Sequence, residues 1–270
     1  MTTHPPAPAV RVAGLHQRFG TAHGDVHALS GIDLDIAPGA FVSLIGPSGC
    51  GKSTLLRCIA DLVQPTAGSV EVGGRSAHEA RLAHHYGIAF QQAGLLEWRT
   101  VQRNVELPLE LHGVGRRERA ERARQLLGLV GLSDVARMRP SELSGGMQQR
   151  VAIARSLAEE PPLLLMDEPF GALDEMTRER LQAELLAIRA RTGTTVVFVT
   201  HSISEAVFLS TQVVVMSARP GRVVRVVDVD LPDRAEATRE DPAFFAAITD
   251  VREALRGGTA RTPALGGEDR

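Results

Sequence analysis

The chain has 270 residues, enough for one large domain or two lobes around a sizeable core. Hydrophobic residues at 43% and charged residues at 23% exclude a disordered or collagen-like polymer. A net charge of −2 and an aromatic content of 4% disfavour nucleic-acid binding through bulk charge or a broad stacking surface.

Residues 1–9 hold three prolines and read as a flexible N-terminus, and the start MTTHPPAPAV lacks the charged and apolar regions of a signal peptide. From Val10 to about Gly74 the short runs VRV, IDLDI, FVSLI and SVEV, separated by Gly and Pro, predict strands, with one helix after Gly51. From about 95 to 160 the pattern turns helical, through LPLEL, GRRERAERARQLLGLVGL and SGGMQQRVAIARSLAEE. Within it, Glu118 and Glu121 alternate with arginines, and Glu118 stands four residues before Arg122, so a solvated helix face is expected there, with no nucleic-acid role.

After Pro162, LLLMD, a helix near 175–191, TTVVFVTH, a short helix and VVVMS follow in turn, which implies a mostly parallel, buried sheet. A last helix is signalled by Asp241 as N-cap, Pro242 in the first turn and Gly257 past the end, giving an extension over 232–256 and a disordered tail over 257–270. Its Phe244, Ile248, Val251 and Leu255 share one face and must dock on something. Cys50 and Cys58 make neither a disulfide framework nor a zinc cluster, and no run approaches the roughly 18 apolar residues of a membrane span, so a soluble chain in a reducing, cytoplasmic compartment is expected.

The chemistry concentrates in two places. GPSGCGKST, Gly46 to Thr54, matches the phosphate-binding pattern GxxxxGK[ST] between a predicted strand and a predicted helix. Gly46, Gly49 and Gly51 let the backbone through Pro47, Ser48 and Cys50 curl so that amide hydrogens face phosphate oxygens. Lys52 would reach the β and γ phosphates, and Ser53 would hold Mg²⁺. Of the 30 basic residues, 29 are Arg, and the only lysine is Lys52. LLLMDE then places Asp167 at the carboxyl end of a buried strand, where it can bind Mg²⁺ through water, with Glu168 placed to polarise an attacking water.

With these motifs in hand, LSGGMQQR at 143–150 resembles the signature of the ATP-binding subunits of ABC transporters. Physically, Ser144 can cap a helix whose amides at Gly145 and Gly146, with Met147 following, offer a second anion site. The resemblance spans roughly Val10 to Leu231 and implies an α/β fold: a P-loop NTPase core of mostly parallel sheet, an N-terminal antiparallel β subdomain and an inserted helical subdomain. It implies an ATPase in which two subunits pack head to tail, each closing the other's ATP, with ATP and Mg²⁺ as ligands.

By the same resemblance Gln91 is the glutamine that contacts Mg²⁺ and the attacking water, Asp174 stands at the dimer seam and His201 touches the γ-phosphate. Phe19 sits where the family stacks an aromatic, usually Tyr, on adenine; packing in the core is the other reading. The stretches GLLEWRTVQRNVELPLEL, MDEPFGALDEMTRERL and THSISEAVFLS look most like importers of nitrate, sulfonate and taurine. Expected partners are a second copy, a multi-span permease and, indirectly, a solute-binding protein outside the membrane, which places the chain peripherally on the cytoplasmic face. Glu97 departs from the Pro common before the Trp, and Met147 from a Gln found in many relatives. Trp98 stands either near the cleft for the permease's coupling helix or in the core of the small lobe. A soluble ABC-type ATPase acting on DNA or ribosomes would need a coiled coil, a zinc module or a second phosphate loop, and a P-loop kinase gives no reason for LSGG or His201.

Overall fold

The computed structural model describes residues 9–22, 24–231 and 234–259. In chain order, strands β1 (Val10–Thr21), β2 (Gly24–Ile36) and β3 (Phe41–Ile45) lead through the glycine loop into helix α1 (Lys52–Ile59). Strands β4 (Ala67–Val72) and β5 (Arg75–Ser76), helix α2 (Ala77–Leu82) and strand β6 (Tyr86–Ala89) follow, then helices α3 (Val101–Leu111), α4 (Arg116–Leu129) and α5 (Gly145–Ser156). The alternating part runs β7 (Leu163–Asp167), α6 (Glu175–Thr192), β8 (Thr195–Val199), α7 (Ile203–Leu209), β9 (Gln212–Met216) and β10 (Val223–Asp228), and α8 (Pro242–Thr259) ends it.

Two sheets result. The antiparallel one has the order β2-β1-β4-β5; the other, β10-β9-β3-β8-β7-β6, is parallel from β9 to β6, with β10 antiparallel at its edge. VRV and IDLDI are only parts of β1 and β2, a hairpin that stays paired from Val10 against Ile36 to Thr21 against Gly24. Its outer part, Arg18–Thr21 against Gly24–His27, is mostly polar and exposed with only Phe19 facing Val26, so the ladder leaves little apolar alternation in the sequence.

The central strands are buried on both faces, as a parallel sheet under two layers must be. Their side chains alternate accordingly: Phe41, Leu164, Met166, Val196 and Phe198 face the helical side, whereas Val42, Leu44, Leu163, Leu165, Val197 and Val199 face α1 and the antiparallel sheet. The Phe198 ring lies 5.8 Å from that of Phe41 and 5.6 Å from that of Phe170. Phe170 thereby pins the segment just after Glu168 to the sheet, and Phe170→Ala would cost about 3–5 kcal/mol.

Two local expectations are corrected. Gly257 lies inside α8, which runs to Thr259, because a glycine ends a helix only where it turns left-handed, and Gly257 does not. The Glu118–Arg122 pair is not made: Arg122 reaches Glu160 at 3.0 Å and donates to the Leu157 and Ala158 carbonyls just past the end of α5. Asp241 does cap α8, its Oδ1 accepting from Ala243 N at 2.7 Å, and Phe244, Val251 and Ala254 are buried against the large sheet's helical face. Ala9, expected in the flexible N-terminus, donates its N–H to Ile36 O at 2.8 Å and so joins the sheet; residues 1–8 and 260–270, assigned to flexible ends, lie outside the described residues.

Candidate nucleotide site

The glycine loop joins β3 to α1 at the carboxyl end of the parallel sheet, where open α/β sheets collect ligands. Gly51 has φ 105° and is the N-cap of α1; a Cβ there would meet Leu29 Cδ2 at 2.6 Å and Ala28 O at 2.9 Å, so no other residue fits. A Cβ on Gly46 would meet Met216 O at 2.8 Å. No side chain caps α1 and no acidic residue occupies its first turn, which leaves its leading amides, through Ser53 and Thr54, available to an anion.

Lys52 is buried, and its Nζ donates to the carbonyls of Gly46 at 2.8 Å and Pro47 at 3.1 Å, with Cys50 Sγ at 3.9 Å. Burial pushes the Cys50 thiol up, with the Lys52 charge opposing, which keeps it an unreactive thiol in the loop.

At the end of β7 the Asp167 carboxylate is 2% exposed and accepts from Ser53 Oγ at 2.8 Å. Burial raises its pKa and the Ser53 hydrogen bond opposes that. Glu168 sits at φ 47°, a left-handed conformation that costs a non-glycine residue about 1–3 kcal/mol. It is held there by its N–H to Val199 O at 3.0 Å and by Gly171 N to its own carbonyl at 3.2 Å. Gln91 Nε2 and His201 Nδ1 each stand 3.5 Å from the same oxygen, Glu168 Oε2. Three residues from three segments, far apart in sequence, thus meet at one carboxylate.

Other expected residues lie apart from this cluster. Ser144 caps α5, accepting from Met147 N at 3.3 Å, and Gly145 and Gly146 form its first turn, free of acidic side chains. A Cβ on Gly146 would come within 3.0 Å of Ala172 O, so this turn packs closely on the segment before α6. Asp174 caps α6 by accepting from Thr177 N at 2.9 Å, and that hydrogen bond lowers its pKa. No hydrogen bond or ion pair among the described residues joins Ser144, Gly145, Gly146 or Asp174 to the glycine loop. Phe19 is on β1 opposite Val26, 38% exposed and outside the core. Trp98 is 73% exposed, which rules out the core of the small lobe.

Sequence reasoning missed the tethers. Gln149 Nε2 donates to Phe90 O at 2.9 Å, and Arg155 donates to the Ala93 and Gly94 carbonyls, both at 2.8 Å, so α5 grips the segment that carries Gln91 from both sides. Gln149, Ala152, Ile153 and Ser156 are all buried at helical spacing. A glutamine on that stripe was the available signal.

A strand-loop-helix phosphate cradle beside a strand-end carboxylate defines a nucleotide-binding P-loop protein. The family profile described as ABC transporter matches residues 29–171, and the chain belongs to that family. Within it the chain is an ATP-binding, ATP-hydrolysing subunit. It is similar to the taurine import ATP-binding protein of Rhizobium johnstonii, 48% identical over 88% of this chain and 91% of that one. It is also similar to the nitrate import ATP-binding protein of Synechocystis sp., 42% identical over 95% and 98% respectively. Among solved structures, a dimeric ATP-binding cassette in a post-hydrolysis state with ADP and phosphate matches with a TM-score of 0.76 at 35% identity, covering 82% of this chain and 99% of that one.

Proposed function

We propose that the chain energises import of a small anionic or zwitterionic solute of the sulfonate or nitrate kind, by ATP hydrolysis at sites shared between two copies. The observation that carries the catalytic part is the convergence of Gln91 and His201 on Glu168 Oε2, one residue beyond the Ser53–Asp167 contact. The substrate class rests on the similarity to taurine and nitrate import proteins.

In this reading Lys52 and the amides of residues 46–54 hold the phosphates, and Phe19 offers its exposed ring to adenine. Glu168 accepts a hydrogen bond from the attacking water, Gln91 orients that water and His201 contacts the γ-phosphate. The new oxygen–phosphorus bond forms as the bond to the β-phosphate oxygen breaks, ADP leaving with the electron pair. The partner copy's α5 N-terminus, with Ser144, Gly145, Gly146 and Met147, closes over the γ-phosphate, and Asp174 lies at the seam.

The residues present fit Mg²⁺. Ser53 and Asp167 are hard oxygen donors, and burial leaves the Asp167 carboxylate short of positive charge. No cluster of three His, Cys, Asp or Glu able to hold a metal exists among the described residues, as expected of an ion that completes its shell with water and phosphate oxygens. Ser53, Asp167 through water, and Gln91 would hold it; when bound, it neutralises charge building on the β and γ oxygens.

The partner on the membrane is a multi-span permease, served from outside by a solute-binding protein, with this subunit peripheral on the cytoplasmic face. No helix among the described residues is long and apolar enough to cross a membrane. Trp98 supports a docked partner: it lines a groove of about 640 Å³ with Arg99, Arg103, Arg116, Arg119 and Arg137, and exposed Trp beside Arg is the composition of interface hot spots.

Glu168→Gln tests the catalytic assignment. It should keep ATP binding, lower kcat by about 10²–10⁴-fold and accumulate an ATP-bound dimer on size exclusion; turnover at the parent rate would refute it. Uptake of taurine, other sulfonates and nitrate by the complex reconstituted in vesicles tests the solute class.

A further inference from the structure

We infer that Arg239, in the segment after the sheet, is a positioning residue for His201 and that the C-terminal extension thereby sets the hydrolysis rate. Arg239 lies on a short turn, Glu236–Glu240, between β10 and α8. From it a polar chain runs inward. Arg239 Nη2 donates to Gln182 Oε1 at 2.6 Å, Gln182 Nε2 donates to Glu205 Oε1 at 3.0 Å, and Thr200 Oγ1 donates to Glu205 Oε2.

Thr200 immediately precedes His201, and Ser202 immediately follows it. Ser202 N donates to Thr200 Oγ1 at 3.1 Å, and Ser202 Oγ caps α7 by accepting from Glu205 N at 3.3 Å. The peptide bearing His201 is therefore clamped on both sides by groups that converge on Glu205. A small cavity of about 60 Å³, lined by Glu168, Thr200, His201 and Glu205 among others, joins the clamp to the catalytic cluster.

The order of the chain is chemically fixed. Glu205 is 8% exposed and Gln182 2%, and no Arg or Lys among the described residues forms an ion pair with Glu205. The amide of Gln182 points its oxygen at the guanidinium and its nitrogen at the carboxylate, so Arg239 and Glu205 hold it the same way round from opposite ends. Arg239 is itself fixed, with its guanidinium carbon 3.9 Å from the centroid of the Phe208 ring and Nε 3.6 Å from Glu179 Oε1. An apolar filling would serve stability as well as a buried polar chain does. Running from the C-terminal segment to the His201 peptide, the polar chain instead fixes where that histidine stands against Glu168.

The inference rests on the assignment of His201 to the γ-phosphate, and a double-mutant cycle separates the two. Steady-state ATPase of the full chain is measured for the parent, Arg239→Ala, Arg239→Lys, Gln182→Met, His201→Ala and the double variant R239A/H201A. The expected result is a fall in kcat of about tenfold for R239A and Q182M with KM for ATP within about twofold. R239K should recover much of the loss, and R239A should add nothing in the H201A background. Parent kcat in folded R239A and Q182M, or an equal further loss in the double variant, overturns the positioning role. If H201A itself turns over at the parent rate, the assignment of His201 fails and the inference with it. Q182M replaces the amide with an apolar chain of similar size, so it keeps the test open should R239A fail to fold.

Discussion

Lys52 is the one basic position that the chain does not fill with arginine. Its ammonium donates to the loop carbonyls of Gly46 and Pro47, in a turn where even a Cβ on Gly46 or Gly51 would collide. A planar guanidinium cannot enter that space while also facing a phosphate. Lys52→Arg should therefore lower kcat by about a hundredfold, the scale of removing one preorganised charge contact from a transition state, with the fold intact by circular dichroism. A parent-like kcat would refute the geometric argument. Position 52 was legible in the sequence because the motif fixes both its neighbours and its chemistry. The clamp residues Thr200, Gln182 and Arg239 were not, because each is an unremarkable polar residue until the fold brings them within hydrogen-bond distance.

At the scale of elements, what the sequence revealed depended on whether an apolar run or a motif marks the element. β3, β7 and β8 are buried throughout and mostly apolar, and α1 and α5 follow recognisable motifs, so they stand out; β6 is only four residues, YGIA, three of them half-buried, held partly by tethers. One tether is Tyr86 Oη donating to Ala60 O at 2.6 Å, which ties β6 to the end of α1. Burial pushes the Tyr86 phenol up from 10.0 to about 12, and the Cys58 thiol of α1 from 9.0 to about 11. Both groups hold their protons more tightly folded than unfolded, so their contribution is fully present below about pH 9 and is lost as pH rises through 11 and 12. Urea unfolding should show the parent losing roughly 2–4 kcal/mol between pH 8 and pH 11. Tyr86→Phe should lose about 1 kcal/mol at pH 8, where the hydrogen bond is absent, yet decline less steeply above pH 10. Equal slopes for the two proteins would show that the phenol titrates as freely in the folded chain as in the unfolded one.

For the whole molecule the proposed site sharing turns on two helix ends. The N-termini of α1 and α5 belong to one chain, both lack acidic residues in their first turns, and no hydrogen bond or ion pair among the described residues joins them. In the proposed reading a chain acting alone leaves each end half a site, whereas a head-to-tail pair completes two sites by one symmetry operation. The matched dimeric cassette is consistent with that geometry. Sharing makes a prediction that a self-contained site does not. Lys52→Ala and Ser144→Arg should each be inactive alone, one losing the phosphate ligand and the other blocking the partner's site. Mixed in equal amounts, they can form a heterodimer with one intact pair, Lys52 from the second variant facing Ser144 from the first. Random pairing makes half the dimers mixed and half their sites whole, so about a quarter of the parent ATPase activity should return if each site works independently. The recovered activity should also fall on dilution as the dimer dissociates. Specific activity that stays flat on dilution to nanomolar, together with no recovery on mixing, would place the whole catalytic apparatus within a single chain.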